Sequence, residues 1–431
     1  IMLKRQTDHM AEDTQLTFTF DGRHWRVRGL EKQLSSDRLR LTLHVSRGEL
    51  SFVDTIDLYL ARRRRAFAKE AAAELFVEEQ AIKQDLGRLL NTLEEEQQKR
   101  IRSTLTEQEP EVPEMTDRQR DEALAMLRDP QLVDRILSDY EICGLVGEET
   151  SKLVCYLACV SRHLRQPLGV LIQSSSAAGK TTLQDTVLRF MPPEEQVSLS
   201  AVTGQSLYYM PRDALKHKIL SVAEEDGVTH ATYALKLLQS DGRLAIACVG
   251  RDPHTGRQQT QCYEVEGPVS MILTTTEETP HTELINRCLV VSANEQPQQT
   301  AAIHQRQRVG YGGEMPDNTV ETVIARHQNA QRLLKPLRVV IPWAEQLTFR
   351  TDQVRFRRDH AKYLSLIASI TLLHQYQREQ AGVRCHGEPE TYVKATLDDI
   401  ELANRLATEV LAEHIDSLMP RTRRLLDELH E

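Results

Sequence analysis

Nine residues from Ser174 to Thr182, SSSAAGKTT, have the composition and spacing of a loop that holds phosphate. The pattern is G-x-x-x-x-G-K-[ST], with Ser174 standing where the first glycine usually falls. Small residues (Ser174, Ser175, Ser176, Ala177, Ala178, Gly179) let consecutive backbone N–H groups turn toward one anion. The N-terminus of a following helix adds partial positive charge. Lys180 then reaches the β- and γ-phosphates of a nucleotide, the Thr181 hydroxyl is placed to bind Mg²⁺, and Thr182 continues the first helical turn. The chemistry implied is ATP binding with Mg²⁺, and phosphoryl transfer to water.

Such a loop needs an acid and a means of sensing the terminal phosphate. About forty residues on, HKILSVAEEDG carries an apolar run into Glu224 and Glu225. Open α/β sheets bind ligands at the carboxyl ends of their strands. Glu224 is therefore expected in the Mg²⁺ shell and Glu225 as the group that polarises water, with Asp226 adjacent. A second apolar run, GPVSMILTTT, ends in threonines, of which Thr275 or Thr276 can sense the γ-phosphate. In ELINRCLVV a single arginine, Arg287, precedes another apolar strand, and an arginine contributed across a subunit interface stabilises phosphoryl transfer. Further on, VRFRRDHAKY offers Arg357, Arg358 or Lys362 as a second phosphate contact.

The elements that must position these groups are legible as alternating periods. From about 168 to 295, short β-branched runs (LGVLIQ, VSLSA, HKILSV, VSMILTTT, CLVVSA) alternate with helical segments, which predicts a mainly parallel α/β sheet covered on both faces. Between the acid and the threonines, RLAIACVG and QQTQCYEVEG flank the turn RDPHTGR, a predicted hairpin with Arg251, His254 and Arg257 about its tip. Those basic groups, with Lys216 and Lys218 upstream, are candidates for holding a nucleic-acid backbone.

Before the core, residues 15–60 alternate apolar and polar, with Asp21-Gly22 and Arg47-Gly48 at turn positions. A helical pattern from Arg62 to about Arg102 opens on four arginines, Arg62 to Arg65. Together these form a region 1–103 of β module plus helix. Residues 104–115 read as a linker. The core is expected over 116–298, opening with two short helices broken at Asp129-Pro130, the first capped by Thr116 or Asp117. An amphipathic helix over GLVGEETSKLVCYLACVSRHL follows. From 299 to 431 the pattern is helical and lid-like, apart from LRVVIPW.

The 431 residues carry a net charge of −9, which excludes a protein coated in nucleic-acid-binding surface and leaves room for local basic contacts. No apolar run reaches the ~18–20 residues that cross a bilayer, and the start lacks a secretory pattern. A cytoplasmic protein with no membrane partner is expected. Seven cysteines without CxxC spacing fit free buried thiols, Cys155 and Cys159 sharing one helix face. Ile1 ahead of Met2, and a last segment TRRLLDELHE that stops without a helix end, read as a piece of a longer chain.

In order, VLIQSSSAAGKTTLQD, VTGQSLYYM, LKHKILSVAEEDG, YALKLLQSDGRL, GRDPHTGR, VEGPVSMILTTT and ELINRCLVV resemble the helicase portion of primase–helicases of bacterial mobile elements. These in turn resemble minichromosome-maintenance-type AAA+ ATPases. The likeness spans roughly 115 to 415. It implies an AAA+ core with a β-hairpin before the sensor strand and an arginine finger at Arg287. It also implies a homohexameric ring that moves along DNA in replication, with a primase domain or protein as a partner. The chain departs from the family at Ser174 for Gly, Glu224 for Asp and Thr for Asn at the sensor. It carries no zinc ribbon or other primase part. An AAA+ ATPase that remodels proteins, an initiator or loader without unwinding activity, and a scaffold that binds ATP structurally are the alternatives.

Overall fold

Period-two alternation between residues 16 and 57 produces four antiparallel strands in meander order: β1 (Leu16–Phe20), β2 (Arg23–Arg28), β3 (Arg40–Arg47) and β4 (Leu50–Asp57). This is a computed structural model, and it describes residues 16–30, 39–106, 113–176, 178–199, 206–222, 225–251, 258–277, 282–311, 317–385 and 388–412. The β1–β2 turn is Asp21-Gly22, both at positive φ (44° and 76°), the backbone a two-residue hairpin requires. One sheet face, including Phe18, Trp25, Leu43 and Val45, forms a core with helices α1 (Ala61–Glu74) and α2 (Glu79–Thr106). The single helix expected over 62–102 is thus two, interrupted near Phe76, which adopts φ 48°. Ala-rich, Glu-rich periodicity runs through the break and conceals it.

Residues 1–109 form one compact unit and 110–431 a second. The second unit opens with α3 (Asp117–Leu127), whose N-cap is Thr116 in a capping box with Gln119. It continues through α4 (Leu132–Ile142) and α5 (Glu149–Val160). Residues 151–160 of α5 are all buried, so that helix is enclosed rather than amphipathic, with Cys155 and Cys159 as free buried thiols.

The core chain then runs β5 (Gly169–Gln173), α6 (Lys180–Arg189), β6 (Gln196–Leu199), β7 (Lys218–Val222) and α7 (Glu225–Asp241). Next come β8 (Arg243–Arg251), β9 (Gln258–Glu266), β10 (Val269–Thr275), α8 (Thr282–Ile285) and β11 (Cys288–Ser292). Five strands pair in parallel in the order β11-β5-β10-β7-β6. All seven residues of β10 are buried, which is why this strand reads as an unbroken apolar and Thr run. β8 and β9 pair as a separate two-stranded ribbon, from Arg243↔Glu266 to Arg251↔Gln258.

Beyond the sheet lie α9 (Pro297–Tyr311), α10 (Asp317–Leu333), β12 (Arg338–Val340) and α11 (Phe356–Leu373), then β13 (Gln380–Cys385), β14 (Glu388–Lys394) and α12 (Leu397–Ala412). The region expected to be helical therefore also contains a three-stranded sheet, β12-β14-β13. Its strands are short and charged (QAGVRC, EPETYVK), so they lack the apolar alternation that marks a half-buried strand. Among the described residues no helix is long and apolar enough to cross a membrane.

Candidate nucleotide site

The register of the parallel sheet brings the phosphate-loop residues against the threonine strand. Gln173, the last residue of β5, lies beside Thr275, the last of β10, and β10 is flanked on its other side by β7. The Ser174 N–H points to the Thr275 carbonyl at 3.5 Å, and Thr275 Oγ1 accepts the Glu277 N–H at 3.1 Å. Gln173 Nε2 donates to the Glu277 carbonyl at 2.9 Å. Thr275 is buried at the strand end, while Thr276 lies one residue past it and is exposed.

Gly179 caps α6 in the left-handed region, φ +97°, with nothing within 4 Å of where a Cβ would project. Glycine is thereby required for the turn into the helix. Lys180, only 8% exposed, donates from Nζ to the carbonyls of Ser174 (2.8 Å) and Ser175 (2.6 Å), so its ammonium arches over the loop. Thr181 and Thr182 are exposed on the first turn of α6. Ser174 Oγ is buried without a hydrogen-bond partner among the described residues, a polar atom that a bound phosphate oxygen would satisfy. The open glycine turn, the arched lysine and this orphaned hydroxyl fit a triphosphate. Thr181 is the described side chain suited to a Mg²⁺ ion beside it.

Several expected residues lie outside the described ones: Ala177, Glu224, His254 and Arg257. Glu225 opens α7 directly after the carboxyl end of β7. Arg251 ends β8, eight residues from the ribbon base at Arg243, or roughly 26 Å at strand rise. Lys216 and Lys218 are not brought to that tip. They flank His217 at the amino end of β7, where Lys216 lies 3.9 Å from Asp213 and near Glu266 at the ribbon base, whose pKa is lowered first by its hydrogen bond from Arg212 and in smaller part by Lys216.

Arg287 stands just ahead of β11, whose first residue pairs with Gly169 at the amino end of β5. The phosphate loop leaves the carboxyl end of that strand, so the two are separated by five residues of rise, roughly 16 Å. The Arg287 guanidinium has a buried Nε without a partner among the described residues. Burial lowers its pKa, and the nearby Arg358 lowers it further. Arg358 is exposed in the first turn of α11, and Arg357 is exposed beside it. Lys362, one turn on, is committed elsewhere: it is buried, pairs with Asp359 at 2.7 Å and donates to the Cys288 carbonyl at 3.0 Å. It is removed as a candidate phosphate contact, because an ammonium holding a strand end in place is not free to reach a ligand.

Two residues toward the phosphate-loop end of the sheet escape sequence reasoning. Gln184, on the buried stripe of α6, donates to Ser221 Oγ of β7 (2.9 Å) and to the Ile272 carbonyl of β10 (3.1 Å). A glutamine among Leu183, Val187 and Leu188 was the available signal. Glu295, after β11, accepts the Ser175 N–H at 3.0 Å, and no local pattern announces it.

A family profile described as the MTBMA_p00010 P-loop domain matches residues 114–334, just over half of the chain. That span contains the entire five-stranded sheet, the phosphate loop and Arg287. A P-loop domain implies nucleotide binding, typically with Mg²⁺, and in general hydrolysis of the nucleotide. No curated protein matches the chain.

Proposed function

The chain belongs to the P-loop domain family matched over residues 114–334, and from that premise we propose that it is an AAA+ ATPase that translocates on DNA as a ring. The proposal includes assembly as a homohexamer, ATP and Mg²⁺ in each interface, and a role in replication beside a primase, as the resemblance to mobile-element primase–helicases implies.

The observation that supports it most is the separation of charge along the sheet. Lys180 and the loop lie at one end, while Arg287 and Arg358 lie roughly 16 Å away at the other. An arginine pair held there cannot reach its own chain's phosphates. In a head-to-tail ring it meets the loop of the next subunit, and such closed heterologous contacts generate rings.

In the assembled site the loop N–H groups and Lys180 bind the phosphates, and Ser174 Oγ donates to one of their oxygens. Mg²⁺, held by Thr181 and Glu224, would neutralise charge developing between the β- and γ-phosphates. Glu225 orients and polarises the attacking water, and Thr275 or Thr276 contacts the γ-phosphate. Arg287, aided by Arg358 from the same neighbour, stabilises the transferring phosphoryl group. The β8–β9 ribbon, directly ahead of β10, is the pre-sensor hairpin of this reading, and Arg251, His254 and Arg257 hold the DNA backbone. Lys216 and Lys218, by the ribbon base, are secondary contacts.

Mixing tests the shared site. Lys180→Ala and Arg287→Ala proteins are each expected to be inactive, and an equimolar mixture should recover about a quarter of wild-type turnover, the share of interfaces with both intact partners. No recovery would refute the shared site. Turnover that neither binds nor responds to single-stranded DNA would refute the translocase and favour protein remodelling, the reading to which the −9 net charge lends support.

A further inference from the structure

The amino-terminal sheet has two faces of opposite character, and only one is accounted for by folding. Its apolar face is covered by α1 and α2. The other carries Thr17 and Thr19 of β1, His24, Arg26 and Arg28 of β2, then Arg40, Thr42, His44 and Ser46 of β3, and Ser51, Val53 and Thr55 of β4. These side chains are exposed or half-exposed.

Register sorts them into rows across the strands: Thr19–His24–Ser46–Ser51, Thr17–Arg26–His44–Val53 and Arg28–Thr42–Thr55. None of these rows contains a carboxylate. Asp57 pairs with Arg40 at the end of the sheet, but its Oδ1 is engaged by the backbone N–H groups of Leu39 and Tyr59. Folding does not explain this pattern. Cross-strand pairs of opposite charge stabilise an open sheet face, whereas like charges opposite one another cost stability.

The centre of the face makes the point at atomic level. Arg26 donates from Nε to His44 Nδ1 at 3.2 Å, with its NH2 group 3.1 Å from the same nitrogen. A guanidinium held by an imidazole instead of a carboxylate keeps its full charge. His44 titrates below its ordinary value because burial, then Arg26 and then Arg28 disfavour its cation. Hydroxyl groups surround this centre, Thr42 and Thr55 bonded to each other at 2.9 Å and Thr19 to His24 at 3.1 Å. Beyond β4 the chain passes into α1, where Arg62, Arg63 and Arg65 are exposed in a first turn that has no acidic residue. The helix dipole disfavours cations at that position, so helix stability does not account for them either.

We infer that this face is a second nucleic-acid surface, which grips the phosphate backbone of a duplex through Arg26, Arg28 and the neighbouring hydroxyl and imidazole groups. Cationic and hydroxyl side chains without carboxylates are the donor set that phosphate oxygens take. A duplex is favoured over a single strand because the rows contain no Phe, Tyr or Trp on which unpaired bases would stack. The patch is also basic in a chain of net charge −9, so it concentrates positive charge against the average. This surface is independent of the hairpin and of ATP turnover.

The test uses the full chain, without nucleotide, and a labelled duplex of mixed sequence read by fluorescence anisotropy across a salt series. Arg26→Glu with Arg28→Glu should weaken binding roughly tenfold and reduce the log–log salt slope by about 2, one for each phosphate contact. Arg26→Lys with Arg28→Lys keeps the charge and should stay within about threefold of wild type. Unchanged affinity in the Glu variant overturns the inference. So does equal loss in the Lys variant, which would mark a structural role, and so does preference for anionic vesicles over duplex. Because the assay needs no hydrolysis, a chain that fails as a translocase can still pass it.

Discussion

Glu295 occupies a position that nucleotide must contest. Its Oε1 accepts the Ser175 N–H at 3.0 Å, and that N–H belongs to the loop expected to face the phosphates. A hydrogen bond to a charged acceptor is worth about 1.5–3 kcal/mol when buried. Both partners here are exposed, so screening reduces the contribution to about 1 kcal/mol. Triphosphate binding has to displace the carboxylate, and a negative group left beside a phosphate opposes binding in the same direction. Glu295→Ala should therefore tighten nucleotide binding by about 1 kcal/mol, roughly fivefold in Kd. Glu295→Gln, which keeps an acceptor but loses the charge, should fall between. Titration with a fluorescent ATP analogue and Mg²⁺ at low salt reads the effect, and raising ionic strength should shrink it. Unchanged or weaker binding in Glu295→Ala would refute the competition and make Glu295 a residue that orders the loop for its ligand.

Two further outcomes concern stability. Asp85 is 1% exposed and accepts from Arg23 Nε at 2.6 Å, Arg23 NH2 at 3.1 Å and Trp25 Nε1 at 3.2 Å. Asp85→Ala leaves the buried Arg23 guanidinium with only its 3.4 Å contact to the exposed Asp21 and should destabilise the amino-terminal unit by about 3 kcal/mol in urea unfolding, whereas Arg23→Met with Asp85→Leu should recover most of the loss. His163 is held neutral down to about 2, first by burial and then by Arg162 and His217. The unfolded chain protonates it near pH 6.5 and the folded chain does not, so its share of stability is lost as pH falls below 6.5, at about 1.4 kcal/mol per pH unit. His163→Gln should reduce the slope of unfolding free energy between pH 6.5 and 5 by about 1 kcal/mol per pH unit, since the unfolded imidazole is only half protonated at pH 6.5, and an unaltered slope would show that the imidazole is not so enclosed.

What the sequence made legible follows from how local each signal is. The phosphate loop is contiguous, its strand is apolar and its helix opens on Gly-Lys-Thr, so Gly179 and Lys180 are recognisable before any fold is known. The meander was equally clear, because alternation and Asp21-Gly22 are short-range features. Long-range pairings were not. Gln184 binds two strands that lie 37 and 88 residues away, and Glu295 meets a loop 120 residues earlier. Lys362 looked like a phosphate contact because it sits among arginines. Only the packing of α11 against the start of β11 reveals that it holds the Cys288 carbonyl. The break at Phe76 and the β13–β14 pair were missed for a related reason: composition continued smoothly across the first, and the second presents little apolar alternation.

The arrangement of charge along one sheet argues for interdependence between chains. Parallel strands point every carboxyl end the same way, so the loop after β5 and the end of β10 converge, while whatever precedes β11 is carried to the opposite edge. A strand of five residues, four of them buried, separates them, and no side-chain rotation spans roughly 16 Å. Lys362 and Asp359 fix the α11 end of that edge to the first carbonyl of β11, which keeps Arg358 near Arg287. Two guanidinium groups so placed repel each other, and Glu283 and Asp241 offset part of the cost at Arg287. An anion from outside the chain would relieve what remains of that cost. In the proposed ring the triphosphate on a neighbouring copy would be such an anion, and the contact that discharges the arginines would complete the neighbour's site.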